Sequence, residues 1–190
     1  IDAAVGYNVD SFGHNGMLPQ LLKKSGMDYY VFMRPNALEN PKLPDLFFWE
    51  APDGSRVMVH KINCHYGDTG EDGDALGSCA AKIRELREKA RESGLPYLGF
   101  YGVGNHGGGP TIQGLKALEE NLKNSEDLCY ASTGQYFHEI EESGKARNLP
   151  VIRGSLLHHA SGCYAANSAI KRANRRAENA LVKAERFDLR

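Results

Sequence analysis

Tyr29-Tyr30-Val31-Phe32-Met33-Arg34-Pro35 is an unbroken run of aromatic and other apolar residues that ends on an arginine and a proline. It does not alternate apolar with polar side chains, so it reads as a short strand buried on both faces. Comparable runs lie at residues 46–49, 57–62 and 97–103, and each predicts a strand of the same kind. Helical patterns fall between and after them. Across residues 76–94, Leu76, Ala80, Ile83, Leu86 and Ala90 recur at spacings of three and four. Gly94 then supplies a stop and Pro96 forbids continuation. A second helix is predicted over residues 111–123, with Ile112, Leu115, Leu118 and Leu122 on one side. Strands alternating with helices predict a parallel α/β sheet or barrel.

The 190-residue chain balances 23 Lys+Arg against 24 Asp+Glu, with 41% hydrophobic and 25% charged residues. That composition suits a soluble globular protein, and near-neutral charge argues against a dedicated nucleic-acid binder. No apolar run approaches the ~20 residues that a membrane-spanning helix needs, and residues 1–6 lack the pattern of a signal peptide. The four cysteines (Cys64, Cys79, Cys129 and Cys163) form no C-x-x-C pair, which predicts reduced thiols and a cytoplasmic protein. From residue 145 onward, ten Lys/Arg face three acids, Glu178, Glu185 and Asp188. In residues 165–185, Ala166, Ile170, Ala173, Ala177, Leu181 and Ala184 form a helical stripe. Its small side chains would admit a close partner helix, as in a bundle. The surrounding Lys171, Arg172, Arg175, Arg176 and Lys183 read as a solvated face or as ion-pair partners of a neighbour.

Polar residues crowd just after the apolar runs. Asp10 and His14 follow residues 3–9, and Arg34 follows the run quoted above. His65 and the acids Asp68, Glu71, Asp72 and Asp74 follow residues 57–62, and Asn105 and His106 follow residues 97–103. In parallel α/β folds the loops at the carboxyl ends of strands gather on one side, where sites are built. Each residue also has a plainer reading. Asp10 can cap a turn or helix, and His14 can be a packed or surface imidazole. The glycine-rich run 102–109 lacks the ending of a P-loop and the spacing of a dinucleotide fingerprint, so it better suits close backbone approach to a ligand. His158-His159 point in different directions on any regular element, so only one can ligate a given ion. Such a pair is structural in one reading. In the other, joined with an Asp at a strand end, it is part of a zinc site.

Taken together, these segments resemble glycoside hydrolase family 38, the retaining α-mannosidases, most closely its bacterial branch. The resemblance rests on Asp10-Ser11-Phe12-Gly13-His14-Asn15-Gly16 with Leu18-Pro19-Gln20, and on Tyr30-Val31-Phe32-Met33-Arg34-Pro35. It continues through Phe48-Trp49, Ala51-Pro52-Asp53-Gly54-Ser55-Arg56-Val57 and Gly109-Pro110-Thr111. It ends with His158-His159-Ala160-Ser161-Gly162-Cys163-Tyr164 and the helix-like run from Ile170 to Leu181. The resemblance implies that Asp10 is both nucleophile and Zn²⁺ ligand and that His159 is a second ligand. Arg34 would hold substrate or steady the Asp10 carboxylate, and Asn105, His106 and His158 would contact substrate. The zinc would bind sugar hydroxyls rather than activate water, and the substrate would be a mannose-containing oligosaccharide or glycoside.

Three departures from the family pattern stand out. Asn105 occupies the glycine-rich loop where family members carry an Asp that looks like the general acid, and an amide cannot donate that proton. Val9 replaces a proline found in many members. No His here is followed two residues later by Asp, although the family draws its other two zinc ligands from such a motif. The resemblance therefore implies an internal fragment, inactive alone, of a longer enzyme, for which a homo-oligomer is one expected state. Residues 1–150 would form part of a (β/α)7-type barrel, and residues 151–190 would begin a helical bundle. Two rivals are a metal-dependent, polysaccharide-deacetylase-like hydrolase and a carbohydrate-binding homologue with impaired catalysis.

Overall fold

The computed structural model describes residues 3–63, 75–102, 109–157, 162 and 167–187. Among these residues five strands, β1 (Val5–Asn8), β2 (Tyr29–Phe32), β3 (Leu46–Glu50), β4 (Arg56–Lys61) and β5 (Val151–Arg153), form one sheet in the order β1-β2-β4-β3-β5. Five α-helices accompany it: α1 (Leu18–Lys24), α2 (Ala75–Ser93), α3 (Ile112–Lys123), α4 (Thr133–Glu142) and α5 (Ser168–Phe187). β1, β2 and β4 run parallel to one another, whereas β3 is antiparallel to β4 and parallel to β5. The carboxyl ends of β1, β2 and β4 therefore share one end of the sheet, and those of β3 and β5 share the other.

The apolar runs are continuous because both faces of the sheet are covered. Tyr30 and Phe32 of β2, Phe47 and Trp49 of β3, and Val57 and Val59 of β4 pack with Leu22, Leu43 and Leu156 on one face. The alternate residues Val31 and Met58, joined by Met33 and Ile62, pack with Tyr136, Phe137 and Ile140 of α4 on the other. Burying side chains of this size contributes about 1.5–3 kcal/mol each. α4 is fixed at its start by a capping box between Ser132 and Gln135, and its Phe137 stacks on Tyr29 at 4.7 Å between ring centroids. A third, smaller cluster joins α2 to α3 through Cys79, Ile83 and Ala117. Thr111 caps α3 by accepting from the Gly114 amide at 3.0 Å.

The α/β class, the strands at residues 29–32, 46–50 and 56–61, and helices α2, α3 and α5 match the sequence reading. Other features differ from it. The sheet is mixed rather than wholly parallel, because a short connection joins β3 to β4 and only an antiparallel pair closes so briefly. Residues 97–102 carry no strand. Leu98 and Phe100 pack against the α4-side core without joining the hydrogen-bond ladder, so their apolar character reflects burial rather than pairing. α1, α4 and β5 escaped the sequence reading because each is short.

Every residue of α5 is exposed, including Ile170, Ala173, Ala177, Leu181 and Ala184 of the apolar stripe, whereas Ala166 lies outside the described residues. Cys79 and Cys129 are free thiols, whereas Cys64 and Cys163 lie outside the described residues. Among the described residues no helix is long and apolar enough to cross a membrane.

Candidate active site

The parallel register of β1 and β2 pairs Asn8 with Phe32. Asp10 and Arg34 thus follow two adjacent strands by the same two-residue step, at the same end of the sheet. Arg34 Nε donates to Asp10 Oδ1 at 2.7 Å. Their side chains are 27% and 42% exposed respectively, so the pair is open to solvent. An ion pair this exposed adds little stability, and its consequence is to orient the carboxylate.

Beneath this pair lies His14, which is only 2% exposed. Its Nε2 sits 2.7 Å from the Arg34 carbonyl oxygen. A carbonyl can only accept, so Nε2 carries the hydrogen and donates it. Nδ1 is then the acceptor for the Tyr30 hydroxyl, 3.0 Å away. Burial holds the His14 pKa below the usual imidazole value, against a smaller opposing effect of its bond to Arg34, and the neutral ring matches this arrangement. Burial also raises the pKa of Tyr30, keeping its hydroxyl protonated as a donor. Ser11 Oγ lies 3.2 Å from His14 Nε2. The imidazole packs among Tyr30, Phe32 and Trp49, with ring centroids 5.6, 4.9 and 6.2 Å away.

The loop after β1 also meets the chain that leaves β5. At Gly154 (φ 96°) the backbone enters a conformation that favours glycine, and Leu156 then packs in the same face of the core as Tyr30 and Phe32. Leu156 and His14 form an antiparallel bridge. The Gly16 amide donates to Ser155 Oγ at 3.3 Å, and the Trp49 indole donates to the Gly154 carbonyl at 2.9 Å. Gly13 (φ 130°) lies so close under Leu157 that a Cβ there would sit 2.6 Å from Leu157 Cδ2.

A second buried polar group occupies the other part of the sheet. His60 Nδ1 lies 3.0 Å from the Tyr136 hydroxyl. Burial drives its pKa down to about 4; Asp45 works against that shift and Lys61 with it. Lys61 Nζ donates to the Leu43 carbonyl at 2.7 Å and lies 3.4 Å from Asp45 Oδ1. The Tyr97 hydroxyl donates to Asp45 Oδ2 at 2.6 Å, which anchors residue 97 to the sheet without strand pairing.

Of the residues singled out in the sequence, Asp10, His14 and Arg34 are thus brought together. Asn105, His106, His158, His159, His65 and the acids Asp68, Glu71, Asp72 and Asp74 lie outside the described residues. The sequence reading missed Tyr30 and Leu156 as members of this neighbourhood. Tyr30 sits within the apolar run and reads as core, and only the His14 contact reveals its polar use. As an exposed anionic oxygen donor, Asp10 has the chemistry of a metal ligand, but it is a single one. Among the described residues no group of three or more His, Cys, Asp or Glu could hold an ion.

The family model described as "Glycosyl hydrolases family 38 N-terminal domain" matches residues 1–155. Alpha-mannosidase 2C1 of Mus musculus is 32% identical over 179 residues, covering 90% of this chain and 16% of its own length. Alpha-mannosidase G of Dictyostelium discoideum is 27% identical over 175 residues, covering 89% of this chain and 15% of its own length. The chain therefore spans about one sixth of the length of these curated relatives. The crystal structure of an alpha-mannosidase from Enterococcus faecalis superposes with a TM-score of 0.58 at 16% identity. That match covers 81% of this chain and 18% of the other, and it supports a shared fold.

Proposed function

Since the chain belongs to glycosyl hydrolase family 38, matched through that family's N-terminal domain, we propose that it is a segment of a zinc-dependent, retaining α-mannosidase. Its substrate would be terminal α-linked mannose in oligosaccharides or glycosides. The observation that carries this reading is the Asp10–Arg34 pair, held at 2.7 Å at the carboxyl ends of adjacent parallel strands.

Asp10 acts as the nucleophile. One carboxylate oxygen attacks the anomeric carbon, the bond from that carbon to the leaving oxygen breaks, and a glycosyl ester remains on Asp10. Water then cleaves the ester with net retention of configuration. Arg34 holds Oδ1 and so leaves Oδ2 free to face the sugar. Asp10 and His159 would hold the zinc, whose contribution when bound is to grip hydroxyls beside the anomeric carbon and favour a distorted ring. Asn105, His106 and His158 would line the substrate. Asn105 has no proton to give the leaving oxygen, so the acid is a different group.

The sheet would be part of a (β/α)7-type barrel, with α5 opening a helical bundle. That the relatives are about six times longer supports full activity residing in a longer polypeptide that carries this segment.

The test is covalent trapping in that longer polypeptide with a fluorinated α-mannosyl reagent, followed by peptide mass analysis. A sugar ester on Asp10 supports the reading. Release of acetate from an acetylated polysaccharide, with no trapped ester, supports the deacetylase-like rival instead.

A further inference from the structure

We infer that His14 is a positioning residue for the Asp10–Arg34 pair, acting through the Arg34 main chain from beneath the site. The inference deepens the mannosidase reading and rests on it for its kinetic consequence alone; the positional one stands without it.

Asp10 and Arg34 both lie beyond the ends of their strands, past Asn8 and Phe32, where the sheet ladder no longer fixes the backbone. The Arg34 carbonyl gains its partner from the His14 ring at 2.7 Å. That ring cannot turn freely. Tyr30 donates to Nδ1 at 3.0 Å, and Tyr30, Phe32 and Trp49 surround it. Nor can its backbone shift independently, because both main-chain groups of His14 bond Leu156. Four constraints on one neutral imidazole thus converge on the carbonyl of the residue whose side chain orients the carboxylate. The same bridge ties the Asp10 loop to the segment that leads on to His158-His159. One buried side chain therefore sets the height of Arg34 against Asp10, and Ser11 beside Nε2 places the loop that carries Asp10.

His14 is almost wholly buried and both its nitrogens are engaged, so it takes no part as an acid or base in this arrangement. Its effect is on geometry. A misplacement near 1 Å in a reacting pair lowers turnover by about 10²-fold.

The test compares His14→Phe with His14→Gln in the longer polypeptide. Phe keeps the aromatic packing and removes the donor, whereas the Gln amide nitrogen can replace Nε2. Crystal structures read the positional claim. With Phe, the Arg34 Nε to Asp10 Oδ1 separation should lengthen past hydrogen-bond range, and with Gln it should stay near its present value. An unchanged separation in the Phe variant overturns the inference, whether or not the protein hydrolyses mannosides. Kinetics on an aryl α-mannoside read the consequence. The Phe variant should lose about 10–100-fold in kcat with KM changed less than about two-fold, and Gln should restore most of the loss. Equal losses in both variants, tracking a lowered melting temperature, would mark His14 as ordinary packing and overturn the inference. A wild-type protein that traps no sugar on Asp10 while the structural result holds would sink the mannosidase reading and leave the positional one intact.

Discussion

His14 and Leu156 exchange both main-chain hydrogen bonds, the His14 amide to the Leu156 carbonyl at 3.1 Å and the Leu156 amide to the His14 carbonyl at 2.9 Å. This bridge lies outside the sheet, and it stitches the loop after β1 to the chain after β5. The two segments are far apart in sequence, yet Gly13 and Leu157 extend the contact on one side and Gly16 and Ser155 on the other. The approach is close enough that side-chain volume at a single position decides whether it forms.

Gly13→Ala tests that statement. The new methyl carbon would lie 2.6 Å from Leu157 Cδ2, at a φ of 130° that L-residues rarely adopt. A loss of about 1–3 kcal/mol is expected in urea unfolding. Adding Leu157→Ala should recover the steric part and leave the backbone part. If the double variant is no more stable than Gly13→Ala, then Leu157 is not what crowds the loop.

Arg34→Lys should be far from conservative. The bond to Asp10 comes from Nε, close to the chain, and lysine places its ammonium farther out on a flexible stem. In the longer polypeptide of the proposed mannosidase, turnover of an aryl α-mannoside should fall by about 10–100-fold, with folding unchanged by circular dichroism. Wild-type turnover in the lysine variant would show that the carboxylate needs only a nearby positive charge.

Zinc content separates the segment from the longer polypeptide. Asp10 is the single implied ligand among the described residues. The 190-residue chain alone should therefore retain less than one equivalent of zinc after dialysis and hydrolyse an aryl α-mannoside at least about 10²-fold more slowly than the longer form. One tightly held equivalent together with ordinary turnover in the short chain would contradict this.

The pH dependence of stability should carry the signature of His60. Its pKa falls from 6.5 in the unfolded chain to about 4 in the folded one, so the unfolded state binds the proton first as pH drops. Stability from this group is complete above pH 6.5 and is lost as pH falls toward 4. Between pH 7 and pH 5 the loss is about 2 kcal/mol. His60→Leu removes that part of the slope. The partly parallel effect of His14 remains in both proteins and cancels in the comparison. Identical slopes in the two proteins would show that His60 titrates normally.

The sequence exposed those features that follow from local composition. Val31 and Phe32 announce a strand covered on both faces, and the spacing of Ile83, Leu86 and Ala90 announces α2. Asp10 and Arg34 could be paired in thought because each follows an apolar run, and the register of β1 with β2 realises that pairing. What stayed hidden depends on contacts between distant residues. Leu98 and Phe100 resemble strand residues, yet a hydroxyl on Tyr97 and packing against α4 hold them in place. The reversal of β3 follows from a short connection, not from any property of Leu46 or Trp49. His14 looked like one more imidazole because its partners, the Arg34 carbonyl and the Leu156 main chain, are backbone atoms that no side-chain pattern reveals.

The antiparallel β3–β4 hairpin also offers a practical handle. Its tip at residues 52–54 is exposed and lies at the end of the sheet opposite Asp10 and Arg34. A peptide tag, a fluorophore or a link to a solid support attached there would stand clear of the Asp10–Arg34 pair. Preparations tethered through this tip should keep the Asp10–Arg34 pair open to the medium.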